Sequence, residues 1–320
     1  MKRKVTKHGS ATLSVSLPSK WAKSFNIKPG DEIEVIEKNN ELNVIAGYKE
    51  NRIKKATLNL DNFNTLMLNR YLDEFYRQGI EEIVLLFTKE KIPHHKEGTL
   101  VAIDQQIKKL AERFIGMEIV SETKNKIILE SLISHEECEK IEIIQKRIFF
   151  LIKEFLNEFV KAMDSSFTEF YRKSYDYHDN IARFTYYYLR LLHFSDLPKE
   201  KKARLFGLYM IIDKTVDKVR HASERVNEMG KATPKIKKFV EEIFEFYLEQ
   251  FDTIHYKNYT VSDFQGLVKK RYELVNKIKS SKFSYEELKV ISELNILLEI
   301  INDFCEAYVA INIENYVSEA

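Results

Sequence analysis

Glycine and proline are scarce in this chain of 320 residues, with nine and five respectively. So few breakers exclude long irregular regions and favour helix. The two nearest glycines, Gly30 and Gly47, stand 17 positions apart. That spacing removes both the GxGxxG dinucleotide turn and the glycine-rich phosphate loop. Cysteine is limited to Cys138 and Cys305, far apart in sequence, which excludes a disulfide framework and fits a reducing compartment. No apolar run approaches ~18 residues without charge, so no membrane-spanning helix is expected. The basic start runs into a polar/apolar alternation and not into a continuous apolar stretch, unlike a signal peptide. A cytoplasmic protein is expected. No histidine follows a glutamate by three positions, and no G-x-S-x-G elbow is present. The usual warrants for catalysis are missing, and the expectation is a protein that is not an enzyme. The first thirty residues also lack any acid, although the whole chain is nearly neutral at +2.

What is present divides into three parts. The length suits two or three domains of ~100–150 residues, and 44% hydrophobic with 31% charged residues suits globular folding. The expected domains span 1–50, 51–132 and 133–320. In the first, "TLSVSL" alternates Leu13, Val15 and Leu17 with Thr12, Ser14 and Ser16, a strand with one apolar face. Pro18 opens a short helix in "PSKWAKSF". "KPGD" reads as a turn, and "EIEVIE" and "LNVIA" flank "KNNE" as a hairpin. Some 45 residues bury too little surface to stand alone. The remedy expected is a homodimer in which strands of two chains share one core.

Residues 51–132 alternate in type and predict a small α/β domain. "ATLNL" reads as a strand, Asp61 as the cap of a helix running to Gly79, and "IVLLF" as a buried strand. A helix is expected from about Glu97 to Phe114, with His94 and His95 in the loop before it, then a hairpin in "MEIVSETKNKIILE". From His135 onward the pattern is almost wholly helical. Breakers at 194–200, 229–235, 257–263 and 280–287 separate five or six amphipathic segments, the layout of an antiparallel bundle. Tyr186, Tyr187 and Tyr188 are expected to pack inside it.

The acid-free start is the first candidate site. Lys and Arg beside a two-stranded ribbon neutralise phosphates, and hydroxyls add hydrogen bonds to phosphates or base edges. The same pattern also fits a basic tail on an ordinary solvated strand. The run "KHGSATLSVSLPSKWAKSFNIKPGDEIEVIEKNNELNV" resembles the swapped-hairpin DNA-binding domain of the AbrB/MazE/SpoVT family. The resemblance rests on Gly9 after the first basic strand, on Leu17-Pro18, on the short helix and on "NIKPGDEIEV". It implies an intertwined dimer that presents Lys2, Arg3, Lys4, Lys7 and Lys20 to duplex DNA, supported by Ser10 and Thr12. Val5, Leu13, Val15, Leu17, Trp21, Ile33 and Val35 would form its core, with Glu32 and Glu34 turned away from DNA.

A second candidate lies among the helices. Asp213, Asp217 and His221 recur every fourth residue and fall within about 80° of one another on a helix. Glu299, Asp303 and Glu306 share a face of a later helix. Carboxylates one turn apart on packed helices can share a metal ion, and they are also the ordinary polar face of an amphipathic helix. This half resembles the PhoU family, built as two three-helix repeats with an acid-x-x-x-Asp pair late in each. "LEIINDFCE" matches that pair with Glu299 and Asp303; "VDKVRHASE" stands in its place with Asp217 and His221. "YHDNIARFTYYYLRLL" keeps Asp179 but has Ala182 where an acid is usual. The resemblance implies divalent or iron-type metal ions held by these residues, with Asp213 beside them.

Together the two resemblances give the arrangement of archaeal phosphate uptake regulators. They imply a multidomain α+β protein that regulates phosphate transport through DNA and whose helical half meets a phosphate transporter or signalling protein, without membrane insertion. Three rivals are an adaptor on a transporter that does not bind DNA, an antitoxin-like repressor and a metal-dependent enzyme.

Overall fold

The structure is a computed structural model, and it describes residues 2–9, 12–38, 41–46, 54–133, 139–255, 260–315 and 317. Ser10, Cys138 and the centre of the "KNNE" turn lie outside the described residues. The chain divides into two compact units, Met1–Ile53 and Lys54–Ala320.

The first unit holds two hairpins and a short helix. Strand β1 (Val5–His8) pairs antiparallel with β2 (Thr12–Val15), with Val5 opposite Val15 and Lys7 opposite Leu13. Gly9 adopts φ +74 at the turn, a conformation that glycine takes without strain. Pro18 caps α1 (Ser19–Ser24), and β3 (Ile33–Lys38) pairs with β4 (Glu41–Ala46). The two hairpins form separate two-stranded sheets. None of the described residues of this unit is buried. Val5, Leu13, Val15 and Val35 are 53–71% exposed; Leu17, Trp21 and Ile33 are half-buried. The residues expected as core are therefore not buried by a single chain.

The second unit begins with a sheet ordered β5-β6-β10-β9. Strands β5 (Lys55–Asn59) and β6 (Glu82–Leu86) run parallel, joined through helix α2 (Thr65–Arg77). Strands β9 (Met117–Thr123) and β10 (Lys126–Ser131) complete it as an antiparallel hairpin. The helix cap is Asn64, whose side chain accepts from the Met67 N–H, and not Asp61. Asp61 instead accepts from the N–H and Oγ1 of Thr88 at 2.7 and 2.9 Å, tying the end of β5 to the end of β6. The expected helix from Glu97 is also corrected. A small hairpin, β7 (Lys91–His94) with β8 (Thr99–Ala102), comes first, and helix α3 spans only Ile103–Ala111. Its turn is made by Gly98 at φ +65. His94 thus sits in a strand.

One face of this sheet buries Ile83, Leu85, Ile127 and Leu129 against Leu68, Leu72 and Tyr76 of α2 and Ile103, Ile107 and Leu110 of α3. Beyond it run α4 (Ile141–Ala162), α5 (Phe167–Phe194), α6 (Lys199–Met229), α7 (Pro234–His255) and α8 (Val261–Ser280). A last helical segment is broken into α9 (Tyr285–Leu294), α10 (Ile296–Glu299) and α11 (Ile301–Ile311). The starts follow local chemistry: Pro198 and Pro234 open α6 and α7, and Thr260/Asp263 and Ser284/Glu287 make reciprocal capping boxes.

Helix α5 is buried on two sides. Ala182, Tyr186, Tyr187 and Leu191 belong to the sheet-side core, while Ile181, Tyr188, Leu189 and Leu192 belong to the bundle core. The tyrosine run is a packing element, each ring at most 5% exposed. Sheet layer and bundle thus share one helix.

Candidate nucleic-acid interface and helical ion-pair cluster

The β1–β2 ribbon sorts its side chains by parity. Val5, Lys7, Leu13 and Val15 share one face; Thr6, His8, Thr12 and Ser14 share the other. Thr6 Oγ1 and Ser14 Oγ lie 2.9 Å apart on the polar face. Lys2, Arg3 and Lys4 precede β1, exposed, at the open end of the ribbon, and Lys20 is exposed on α1. The structure therefore does not bring all predicted contacts onto one face. Lys7 lies among the apolar residues and Thr12 lies opposite. His8, which sequence reasoning passed over, joins Thr12 on the polar face; strand parity alone was enough to find it. The apolar face, 53–71% exposed at Val5, Leu13 and Val15, is unsuited to water. The polar face offers hydroxyls and an imidazole to an anionic partner.

Residues 7–52 match the family described as "Antidote-toxin recognition MazE, bacterial antitoxin". The N-terminal unit carries a MazE-type domain. No curated protein and no solved structure matches the chain significantly. That match begins within β1 and spans the rest of the two hairpins and the short helix between them; the second unit is left to its own chemistry.

In that unit the predicted ligands are spread and already engaged. On α6, Asp217 Oδ1 receives His178 Nε2 of α5 at 2.9 Å, and Lys214 and Arg220 approach it at 3.6 and 3.7 Å. His178 Nδ1 lies 3.1 Å from Asp179. Burial opposes charge on His178, but the hydrogen bonds to Asp179 and Asp217 and the field of Asp213 outweigh it, lifting the imidazolium to about 9. Burial likewise opposes charge on Asp217, yet His178, Lys214 and Arg220 hold its carboxyl well below the usual range. Asp213 is buried at 6% exposure, and desolvation pushes its carboxyl up. Asp179 borders a cleft of about 290 Å³ with Lys109, Arg113 and Arg183.

His221 Nε2 faces an Arg220 guanidinium nitrogen at 2.7 Å; burial and that cation push the imidazole down. Glu293 of α9 gathers Lys218 at 2.7 Å and both His221 and Arg225 at 3.8 Å. Sequence reasoning missed Glu293 and His178, because Glu293 meets Lys218, His221 and Arg225, and His178 meets Asp217, across to another helix. Glu299 is taken by Arg271 at 2.5 Å. Asp303 is half-buried, its carboxyl raised by desolvation and by Glu306. Among the described residues no group of three or more His, Cys, Asp or Glu is placed to hold a metal. Metal donors need lone pairs free of competing cations, and four of the six expected ligands meet a cationic partner instead. The donor set does not fit a metal ion.

The His178 clasp has a pH signature. Its raised pKa means that its stabilisation is complete below 6.5, its ordinary value, and is lost as pH rises through about 9. Asp217, held low, loses its share only as pH falls through the acid range. Urea unfolding across pH 6–10 is expected to show a decline of up to about 3 kcal/mol, absent in His178→Ala. An identical decline in the variant would contradict the assignment.

Proposed function

We propose that this chain is a non-catalytic, DNA-binding regulator that works as a homodimer through its MazE-type domain. The carrying observation is that the domain has no buried residue among those described while its apolar face lies open. A second copy covering Val5, Leu13 and Val15 gives the missing core. The hydroxyl-bearing face and Lys2, Arg3, Lys4 and Lys20 are then the surface for phosphates.

The finer reading is regulation of phosphate transport, with residues 54–320 as the sensing or partner-binding half. Its support is the likeness of "LEIINDFCE" and "VDKVRHASE" to PhoU motifs, and the helical succession α4, α5, α6 followed by α7, α8 and the broken α9–α11. Metal is not carried into this proposal, because the donors do not fit. No helix among the described residues is long and apolar enough to cross a membrane. A transporter would therefore be met as a docked partner.

The description of the matched family favours one second reading, that the chain neutralises a toxin. A gel shift at ~50 mM salt on duplex DNA from upstream of the protein's own gene separates the two. Retarded DNA is the expected result. No retardation, together with rescue of growth from a co-expressed neighbouring toxin, would transfer the proposal to the antitoxin reading. Mapping of DNA occupancy at high and low phosphate then tests the finer claim.

A further inference from the structure

The two edges of the four-stranded sheet are built differently. Edge strand β9 carries Glu118 and Glu122 and a register shift in its pairing with β10. Charge and irregularity are the usual protections of a free edge. Edge strand β5, "KATLN", has no proline, no register shift and one charge, Lys55, which is paired with Glu82 at 2.9 Å. Its backbone parity is fixed. The Lys54 carbonyl accepts from Glu82 and the Leu60 N–H donates to Leu86, so the even-numbered residues bond to β6. Lys55, Thr57 and Asn59 therefore turn their N–H and C=O groups outward from the sheet.

Helix α2 adds a second observation. It meets α3 on its Asn69 side, where Gln106 donates to Asn69 at 2.8 Å. At 100° per residue, Met67, Tyr71 and Phe75 lie on the opposite flank. Helix α3 packs against β9, the far edge of the sheet, so the flank of α2 turned away from α3 lies toward the β5 edge. Phe63, Tyr71 and Phe75 form an edge-to-face ladder at 5.1 and 6.2 Å, and Met67 and Tyr71 remain 38% and 43% exposed. Among the described residues, an open strand edge thus runs beneath an uncovered aromatic flank.

We propose that a second copy of this chain occupies that edge, with β5 pairing antiparallel to β5 of the partner about a two-fold axis at Thr57. The register is self-complementary. Thr57 meets its own copy, Lys55 meets Asn59, and Ala56 meets Leu58, so no like charges oppose and apolar residues face the α2 side. All three outward residues become hydrogen-bonded pairs, giving six new backbone bonds. The two sheets become one eight-stranded sheet, and the two Met67/Tyr71 flanks approach across the axis. The inference gains from the proposed N-terminal dimer, which would hold two β5 strands on short tethers at about millimolar effective concentration.

The test uses the full chain carrying Cys138→Ser and Cys305→Ser. Thr57→Cys is expected to form an intermolecular disulfide under mild oxidation, because paired Cα atoms lie about 5.5 Å apart. Asn125→Cys, in the β9–β10 turn, is expected to stay free. Hydrogen exchange is expected to show the Lys55, Thr57 and Asn59 amides protected in the unsubstituted chain. Met67→Glu with Tyr71→Glu is expected to abolish both crosslink and protection while thermal unfolding stays cooperative. A dimer by light scattering with no crosslink and fast-exchanging β5 amides overturns the strand pairing and leaves the N-terminal dimer standing. A monomer overturns both. A crosslinked chain that ignores DNA sinks only the DNA reading.

Discussion

Arg190→Ala is expected to cost the 54–320 unit about 3–5 kcal/mol, the range for removing one member of a buried charged hydrogen-bond set. The guanidinium is 1% exposed on α5. Its Nη1 donates to the carbonyls of Tyr76 and Ile80 at 2.9 and 3.0 Å, and its carbon lies 4.9 Å over the Tyr76 ring. Tyr76 lies in the last turn of α2, where its carbonyl also accepts from the Gly79 N–H at 3.1 Å, and Ile80 follows the helix end. Gly79 stands beside them at φ +73, and a Cβ there would meet Phe194 at 2.7 Å. The residue joins sheet layer to bundle at the point where both use α5. Burial holds the guanidinium below its ordinary range, but three carbonyl and ring interactions keep the site favourable to a cation. Urea unfolding should show a lower midpoint with an unchanged slope. Arg190→Lys should recover less than half of the loss, since a single ammonium lacks the planar fork and the ring-stacking face. A variant within ~0.5 kcal/mol of the parent would mean that the Tyr76 and Ile80 carbonyls are satisfied in another way.

Replacing Lys2, Arg3 and Lys4 by alanine should weaken duplex binding at least about a hundredfold at low salt. These residues precede β1, outside any core, so the fold should be untouched. Three charges per chain become six per dimer, and each phosphate contact contributes about 0.9 to the salt slope. Thr12→Ala and His8→Ala, on the polar face, should cost less and act on sequence preference more than on the slope. Lys7→Ala should have the smallest effect on DNA of the basic set, because its strand parity places it among Val5, Leu13 and Val15. Titrations read by fluorescence anisotropy distinguish these patterns.

The elements that follow nearest-neighbour rules were legible in the sequence. Alternation in "TLSVSL", Pro18 before α1, the "KPGD" turn and the breakers at 194–200, 229–235 and 280–287 all correspond to described elements, whereas the break between α4 and α5 was not expected. Two misses have different causes. Asp61 looked like a cap because it is an acid before a helical pattern, but Thr88, 27 residues away, offered it two donors. "IPHHKEGTL" looked like the lead-in to a helix, but its ends pair across Gly98 as a hairpin. A tertiary partner decided the first, and a local glycine turn the second; helical periodicity carries no record of either.

The helical site shows the same limit more sharply. Helical spacing correctly placed Asp213, Asp217 and His221 along one helix. It was silent on what faces them. His178, Lys214 and Arg220 converge on Asp217, and Arg271 reaches Glu299 from α8. An acid-rich face that reads as a ligand set from one helix is an ion-pair seam once its neighbours are in place. In the MazE-type domain the converse holds. There the alternation marked one apolar face of the ribbon, and Leu13 on that face is 71% exposed in the single chain.

The central claim is that a dimeric MazE-type domain grips DNA through the residues before β1. The most direct test is the slope of log K against log salt for a duplex fragment, for the parent and for the Lys2→Ala, Arg3→Ala, Lys4→Ala variant. A steep negative slope is expected for the parent, shallower by about 5 in the variant. Equal slopes, or a parent whose DNA binding is absent at ~50 mM salt, would contradict it.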